Sequence, residues 1–534
     1  MAGEQSRCFA RIVDAMRDAS AYVNANANRR VDVRETHMSI VFLLDDVVYK
    51  VKKPVNFGFV DYSSLKKRKL MCENEVRLNQ RLAPSVYLGV ASIYYQAHSD
   101  SFMVEPSKVL AGMELVEYAV KMVRLPDEDT LLNAVCNNAI RSEELEPIVN
   151  TIAVFHNQIA ERSLEISKFG SYDLISYNVL ENFAQTSEHV KSGLIEAEIY
   201  EQLQRLEELR SLIDERVAQN CPCDSHGDLR LEHIYRNGEN IHIIDCIEFN
   251  DRFRYEDPLC DIAFLYMDLL FETCMFRLPN ALLDYYMNAS GNRPSANVKA
   301  LALFYASYRS VVRAKVIGIT AIDASSPSEV RQSAKCRSHK HWNIARQLIL
   351  PASMRSGLLL VSGLPGSGKS TVARFLASKF IAKQCEILRT DTVRKELSQE
   401  PIAYSKSSKA EVYEMISVRA YQGLKAGKTV IVDATFNLEG QLERFRQLAK
   451  NEGFLFAVFL CRCRNESETR RRLESRTGDA SDADWSVYDL MTRSWVGPNE
   501  STEGVELVDT TGSLEITYAN AAEALHRVGL YDPE

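Results

Sequence analysis

The stretch Gly363-Leu-Pro-Gly-Ser-Gly-Lys-Ser-Thr371 decides the fold of the C-terminal third of the chain. It follows an apolar run at 358–362, which is typical of a buried strand, and it opens a segment predicted to be an amphipathic helix at 371–380. Glycines let the backbone N–H groups of such a loop turn towards phosphate oxygens, and the helix N-terminus adds partial positive charge. The stretch therefore predicts a loop that binds the phosphates of a nucleotide.

The side chains of this loop have distinct predicted roles. Lys369 is expected to reach the outer phosphates, and the Ser370 hydroxyl to ligate Mg²⁺. The other predicted nucleotide-binding positions are Gly363, Gly366, Ser367, Gly368 and Thr371. Downstream, an apolar strand ends in Asp433, which we expect near the same Mg²⁺. An aspartate at a strand end is also a common helix-capping residue, and that alternative stays open.

Two further segments are candidates for the chemistry of this half. Asp391 follows a short strand and would accept the proton of an attacking hydroxyl, while Arg394 would hold an anionic group of the substrate or transition state. The alternative is a helix N-cap at Asp391 among surface charges. An arginine-rich helix at 470–476 would close over the phosphates, and we prefer Arg476 because it precedes a polar loop.

These residues resemble a family of small P-loop kinases that includes gluconate kinases, chloramphenicol phosphotransferases, polynucleotide kinases and zeta toxins. The resemblance runs from about residue 357 to the C-terminus. In that family the aspartate at the position of Asp391 is the usual base, and the arginine at Arg394 contacts substrate or phosphate. The resemblance implies ATP and Mg²⁺ as cofactors.

A second pattern lies earlier in the chain, where Ser225-His-Gly-Asp-Leu-Arg-Leu-Glu-His233 is followed by Ile243-Ile-Asp245. Phosphoryl transfer depends mainly on positioning and charge neutralisation, so a loop aspartate beside the attacking hydroxyl and a strand-borne aspartate on Mg²⁺ form a sufficient core. Asp228 and Asp245 fit these two roles. The pattern therefore predicts a second phosphotransferase site.

This second pattern resembles the aminoglycoside phosphotransferase and choline kinase superfamily, which shares the protein-kinase fold. The usual loop of that superfamily has an asparagine five residues after the aspartate, where this chain has His233. Imidazole is a softer ligand than an amide oxygen, so the metal and the activity of this site stay open. A kinase-like domain that binds nucleotide as an ATP-responsive regulator, without transferring phosphate, is the alternative.

The same resemblance places a nucleotide-contacting lysine in the segment Tyr49-Lys50-Val-Lys52. Lys50 and Lys52 share one face of a strand, so both are candidates, and Lys50 is preferred. Glu75 on the next helix is the expected ion-pair partner, with Glu73 as its competitor. Nearly the whole chain resembles a group of bacterial proteins that fuse an aminoglycoside-phosphotransferase-like domain to a predicted P-loop kinase.

The predicted fold class is α/β and α+β, with a bilobal protein-kinase-like domain followed by a P-loop NTPase domain whose parallel sheet is covered by helices. The first domain is predicted at 1–350, with a small lobe at about 30–123 and a helical lobe at about 124–350. A linker is predicted at 351–356 and the P-loop domain at 357–534. The leading functional hypothesis is transfer of the γ-phosphate of ATP to a hydroxyl of an unidentified small molecule.

Composition limits the partners. The formal net charge of -8 disfavours a dominant nucleic-acid surface, although a kinase of nucleic-acid ends or nucleotide sugars, restrained by the N-terminal domain, is the second hypothesis. An aminoglycoside is a polycation and would need an acidic pocket. No apolar stretch is long enough to span a bilayer, so a cytoplasmic location is expected; the oligomeric state is left open.

Overall fold

The structure is a computed structural model, and two sheets organise it. It describes residues 2–22, 30–58, 60–186, 192–238, 240–291, 295–351, 354–380, 384–397, 406–437, 440–475, 483–500, 502 and 504–530. An antiparallel sheet of six strands lies in the N-terminal part, and a parallel sheet of five strands lies in the C-terminal part. Among the described residues, no helix has the length and apolar character needed to cross a membrane.

The N-terminal sheet carries two helices. Its elements are α1 (Ala2–Met16), β1 (Asp32–Glu35), β2 (Ser39–Leu43), β3 (Val47–Lys52), α2 (Leu65–Asn79), β4 (Tyr87–Gln96), β5 (Ser101–Val104) and β6 (Met113–Val123). The strand order is β1-β2-β3-β6-β4-β5. Helix α2 begins after Ser64, whose side chain accepts a hydrogen bond from the Lys67 N–H, as expected for an N-cap. Helix α1, which the sequence reasoning did not predict, buries Ile12 and Met16 against this sheet.

A helical region follows the sheet. It contains α3 (Leu131–Cys136), α4 (Glu146–Val154), α5 (Leu164–Ser167), α6 (Tyr172–Ala184), α7 (Ser192–Glu208), α8 (Arg210–Ala218), β7 (Cys223–Asp224), β8 (Ile234–Asn237), β9 (Asn240–Ile243), β10 (Tyr255–Glu256), α9 (Pro258–Thr273), α10 (Arg277–Ala289), α11 (Ala296–Ile322) and α12 (Ser328–Ile349). Every residue of α9 from 258 to 271 is buried, so α9 is the core of this region. The order of sheet first and helices second confirms the predicted bilobal arrangement.

The C-terminal part is a parallel sheet covered by helices. It contains β11 (Gly357–Ser362), α13 (Lys369–Ala377), β12 (Cys385–Arg389), α14 (Thr390–Leu397), α15 (Lys406–Lys425), β13 (Thr429–Asp433), α16 (Gln441–Glu452), β14 (Leu455–Arg462), α17 (Glu466–Glu474), α18 (Trp485–Arg493), β15 (Val505–Asp509) and α19 (Leu514–Arg527). The strand order is β12-β13-β11-β14-β15, with every pair parallel. All six residues of β11 are buried, which is typical of a sheet covered on both faces. The predicted P-loop NTPase fold is confirmed.

The two parts pack directly against each other. After α9 the chain turns at Cys274, which has a positive φ of 55°, and the Cys274 carbonyl accepts a hydrogen bond of 2.8 Å from Phe456 N of β14. Within the segment predicted as a linker, Arg355 donates to the carbonyls of Leu350 and Gly529. Arg355 therefore contacts both flanking parts, while the domain boundaries at 350 and 357 stay predictions.

A buried acid in the helical region predicts a pH dependence of stability. Glu198 on α7 accepts hydrogen bonds from Gln202 and Ser307, and its burial raises its pKa to about 7. The folded protein then holds a proton that the unfolded chain releases near pH 4.5, so stability falls as pH rises from about 4.5 to 7. The loss is at most about 3 kcal/mol, at about 1.4 kcal/mol for each unit of pKa.

Glu198→Gln should remove this dependence because the amide stays neutral at every pH in that range. We expect urea denaturation of the variant to be less sensitive to pH between 4.5 and 7 than that of the wild type. The exposed Glu208, the last residue of α7, offers a matched control in Glu208→Gln. An equal pH slope for wild type and Glu198→Gln would contradict the prediction.

Candidate functional site

The phosphate-binding loop joins β11 to α13, as predicted. Gly366 and Gly368 have φ of 77° and 83°, in the left-handed region that favours glycine. A Cβ at Gly366 would lie 2.8 Å from the methyl of Thr469, so this position has no room for a side chain. Lys369 is the first residue of α13, and its Nζ donates to the Leu364 carbonyl at 2.8 Å, across the loop. This hydrogen bond spans the loop and places the Lys369 ammonium group at its rim.

The side chains of Ser370 and Asp433 meet beside this loop. Ser370 Oγ donates to Asp433 Oδ2 at 2.6 Å, which joins the start of α13 to the end of β13. Arg389, at the end of β12, donates to the same carboxylate at 3.2 Å and to Ser370 Oγ at 3.1 Å. Hydroxyl and carboxylate oxygens are hard ligands, so this pair fits Mg²⁺. The sequence reasoning predicted Ser370 and Asp433 here but gave Arg389 no role.

Asp391 and Arg394 lie one turn apart at the start of α14. Arg394 Nη2 donates to Asp391 Oδ1 at 2.9 Å, and both side chains are 27% exposed. Because β12 and β13 pair in parallel with Arg389 opposite Asp433, Asp391 lies at the same sheet edge as the Ser370–Asp433 pair. The helix begins at Thr390, so Asp391 lies inside its first turn and not at the N-cap. Their catalytic roles stay predictions.

From the arginine-rich segment, Arg472 approaches the phosphate loop. Arg476, the preferred lid residue, lies outside the described residues. Arg472 donates through Nη2 to the Thr510 carbonyl at 2.8 Å and through Nε to Glu468 at 2.8 Å. A Cβ built on Gly368 would lie 3.7 Å from its Nη1. Arg472 therefore contacts the rim of the loop from α17, and it belonged to the arginine-rich segment that the sequence analysis singled out.

The second predicted site brings Asp228, His233 and Asp245 together. His233 Nδ1 bonds the Asp228 carbonyl oxygen at 2.8 Å. A carbonyl only accepts, so Nδ1 carries a proton, and Nε2 lies 3.6 Å from Asp245 Oδ2. Asp245 has a φ of 64° and adjoins the lysine cluster of β3. Within the described ranges no group of three His, Cys, Asp or Glu side chains has metal-site geometry, so the metal role of His233 stays a prediction.

Lys50 and Lys52 both bind Glu75. Lys50 Nζ lies 2.8 Å from Glu75 Oε1 and also pairs with Asp245, while Lys52 Nζ lies 2.7 Å from Glu75 Oε2 and also pairs with Glu248. Lys50 is 16% exposed, whereas Lys52 is 1% exposed. Lys50 thus faces the Asp245 side of the cluster, and Lys52 lies behind it.

Charge balance holds this cluster ionised. Burial disfavours the charged form of Lys50, but Asp245 and Glu75 outweigh it and raise its pKa well above the usual value. Burial likewise disfavours the Asp245 carboxylate, but Lys50 and His233 lower its pKa. Glu73, the competing candidate on α2, is instead half exposed and lies 3.4 Å from Lys69. Glu75 is therefore the helix glutamate that meets the lysines.

Helix α9 anchors the loop around Asp228 through hydrogen bonds. Asp261 accepts hydrogen bonds from the backbone N–H groups of His226 at 2.7 Å and Gly227 at 2.8 Å. The Leu231 N–H donates to Asp268, also on α9, at 2.9 Å. Burial lowers the pKa of His226 to about 4, so the ring is neutral. Its Nε2 donates to the Ile244 carbonyl at 3.0 Å, which leaves Nδ1 to accept the Asp228 N–H at 3.3 Å.

Several residues at this second site were missed. Glu248 receives Lys52 and also the Tyr62 hydroxyl at 2.7 Å, and Asp261 and Asp268 fix the loop. Glu248 and Asp261 follow Asp245 closely, in Cys246-Ile-Glu-Phe249 and Asp257-Pro-Leu-Cys-Asp261, so a local signal for them was present. Tyr62 and Asp268 had no local signal because their partners lie far away in the chain.

Comparison with known proteins gives one family match in the C-terminal part and relatives that cover most of the chain. A family model described as an AAA domain matches residues 358–498, which contain the phosphate loop and Asp433. The uncharacterized protein Rv2004c of Mycobacterium tuberculosis is 32% identical over 468 residues, covering 85% of this chain and 88% of that protein. The uncharacterized protein Mb2027c of Mycobacterium bovis matches to the same extent. The chain belongs to the family of these mycobacterial proteins. Membership brings no activity with it, since these relatives are described as uncharacterized.

Solved structures match each part separately. A gluconokinase from Sinorhizobium meliloti is 18% identical, covers 33% of this chain and 94% of its own, and has a TM-score of 0.26. The GDP and kanamycin complex of APH(2")-IIia is 15% identical, covers 58% of this chain and 92% of its own, and has a TM-score of 0.37. At such scores these likenesses support no inference about activity or substrate.

Proposed function

We propose that the chain is an ATP-dependent phosphotransferase with two sites, each moving the γ-phosphate of ATP to a hydroxyl of a small molecule. The observation that carries the proposal is the arrangement of Lys369, Ser370 and Asp433 at the carboxyl edge of a parallel sheet. A glycine-rich loop at a helix N-terminus, an ammonium group and two hard oxygens are the parts that phosphoryl transfer needs.

At the P-loop site, the backbone N–H groups of 363–371 and Lys369 would bind the phosphates, while Ser370 and Asp433 would hold Mg²⁺. Bound Mg²⁺ supplies neutralisation of the charge on the β- and γ-phosphates. Asp391 would accept the proton of the attacking hydroxyl, and Arg394 and Arg472 would bind negative charge on the transferring group. The hydroxyl oxygen bonds to the γ-phosphorus, the bond to the β–γ bridging oxygen breaks, and ADP leaves.

At the N-terminal site, Lys50 would bind the nucleotide phosphates with Glu75 fixing its position, and Asp228 would take the hydroxyl proton. Asp245 would hold Mg²⁺, with His233 beside it. The lysine–glutamate pair is already formed and the Asp228 loop is already anchored by Asp261. These contacts favour transfer by this site over the alternative of a regulator that only binds nucleotide.

The test is phosphoryl transfer from radiolabelled ATP to a panel of hydroxyl acceptors, measured for the wild type and for Lys369→Ala, Asp228→Asn and the double variant. Two working sites predict that each single variant loses a different acceptor, by about hundredfold or more, and that the double variant loses all transfer. Unchanged transfer in Asp228→Asn, with complete loss in Lys369→Ala, would leave only the P-loop site. Transfer only to nucleic-acid ends or nucleotide sugars would favour the second hypothesis.

A further inference from the structure

Helix α11 has a one-sided charge composition. Its 27 residues include the cations Lys299, Arg309, Arg313 and Lys315 and not one aspartate or glutamate. It packs against α9, the helix whose Asp261 and Asp268 anchor the Asp228 loop. A helix with cations and no acidic residue therefore packs on the helix that positions the N-terminal site.

Three of these cations have evident partners. Lys299 pairs with Asp284 at 2.9 Å, and Arg309 pairs with Glu256. Lys315 donates to the side-chain oxygens of two neutral residues, Asn182 at 2.7 Å and Gln185 at 3.0 Å. Arg313 differs, since no side chain or carbonyl in the described parts of the chain accepts a hydrogen bond from it or forms an ion pair with it within 4 Å.

The position of Arg313 follows from helix geometry. It lies one turn after Arg309, whose guanidinium is 4.9 Å from the ring centre of Phe264 on α9. One turn further along α9 is Asp268, which accepts a hydrogen bond from the Leu231 N–H of the Asp228 loop. Burial and repulsion from Arg230 lower the pKa of Arg313, while Asp228, Asp268 and Glu232 oppose this effect. Arg313 therefore lies among the charges around Asp228.

Arg230 supplies a second donor at the same place. It is 7% exposed and its Nη1 pairs with Glu232, yet its buried Nε has no hydrogen-bond partner among the described residues. The nearest carboxylate oxygen, on Asp268, is 4.0 Å away. A buried donor without a partner is destabilising, so a site that keeps one is expected to bind an acceptor group there.

We infer that the molecule phosphorylated at the N-terminal site is a small alcohol that carries an anionic group, a phosphate or a carboxylate, which binds Arg313 and the Nε–H of Arg230. Guanidinium groups suit both anions because they donate two parallel hydrogen bonds. The nearby carboxylates do not fill this role, since Glu232 is paired with Arg230 and Asp268 binds a backbone N–H. An aminoglycoside polycation would meet Arg313 and Arg230 with like charge.

This inference rests on the proposed transfer by Asp228, so its test contains no transfer step. Full-length protein saturated with Mg²⁺ and a non-hydrolysable ATP analogue, which fills both nucleotide sites, is titrated by calorimetry with glycerol, glycerol 3-phosphate, glycerate and kanamycin. We expect at least one of the two anionic probes to bind tenfold or more tightly than glycerol, and kanamycin to bind no better than glycerol. The two anionic probes distinguish phosphate from carboxylate.

Arg313→Gln should then reduce the affinity for the preferred anion to that for glycerol, and Arg313→Lys should restore part of it. Arg337→Gln, on the exposed face of α12, makes the same charge change and should leave the affinity unaltered. Equal binding of all probes, tighter binding of kanamycin, or anion binding that survives Arg313→Gln would overturn the inference. Anion binding lost only in Arg313→Gln upholds it, even if Asp228→Asn shows that the site transfers no phosphate.

Discussion

Replacing Lys369 with alanine should abolish the binding of Mg-ATP to the P-loop site and reduce its transfer activity by about hundredfold or more. Lys369 Nζ lies at the rim of the loop, 2.8 Å from the Leu364 carbonyl, where it can reach the outer phosphates. Its ammonium is the one side-chain charge that the loop 363–371 itself contributes. Without it, the backbone N–H groups must hold a polyanion alone.

Calorimetry with Mg-ATP measures this loss directly, with Asp245→Asn as the common background to reduce Mg-ATP binding at the N-terminal site. The matched control is Lys428→Ala, which removes a lysine from the opposite end of the same sheet, where it pairs with Glu386 at 3.0 Å. That pair is about 40% exposed, so its loss should cost at most about 1 kcal/mol and no nucleotide affinity. Binding of Mg-ATP to Lys369→Ala with the affinity of the control would refute the P-loop assignment.

The P-loop site was largely predictable because its signal is local. The glycines, Lys369 and Ser370 lie within nine residues, and the apolar strand before them and the helix after them set the geometry of the loop. Asp433 was predictable because it ends an apolar strand, and parallel strands bring their carboxyl ends to one edge. Arg389 was missed because its role depends on the register in which β12 pairs with β13.

The lysine cluster shows where periodicity stops being informative. Lys50 and Lys52 are two residues apart and so lie on the same face of the strand, and both pair with Glu75. Which lysine faces the nucleotide side depends on Asp245 and Glu248, which come from about 195 residues later in the chain. Arg313 was unpredictable for the same reason, since it approaches Asp228 only through the packing of α11 on α9.

The choice of a lid arginine stays a prediction, because Arg476 lies outside the described residues. Arg476 was preferred because a polar loop follows it, but helical phase decides which arginine of a run faces a neighbour. Among the described residues of this arginine-rich segment, Arg472 on α17 contacts Thr510 and approaches Gly368. A periodicity argument over 466–474 would have selected Arg472 only if the position of the phosphate loop against α17 had been known.

Asp261→Ala should destabilise the N-terminal part by about 3–5 kcal/mol and abolish its transfer activity. The Asp261 carboxylate is fully buried and holds the backbone N–H groups of His226 and Gly227, and His156 Nε2 lies 3.1 Å from it. Its removal leaves these donors buried without an acceptor. The two N–H groups also begin the loop that carries Asp228, so the loop would lose its position relative to Lys50 and Asp245.

Urea denaturation and acceptor phosphorylation measure the two effects separately. Asp261→Asn keeps the volume and one acceptor oxygen, so it should lie between Asp261→Ala and the wild type in stability. Asp284→Ala is the control, because it removes a carboxylate from an exposed pair with Lys299. Its free energy of unfolding should stay within about 1 kcal/mol of wild type, and its transfer activity should be unchanged. Because the P-loop lies in the other half, Mg-ATP binding that depends on Lys369 should persist in folded Asp261→Asn. A wild-type urea midpoint for Asp261→Ala would show that α9 does not anchor the Asp228 loop.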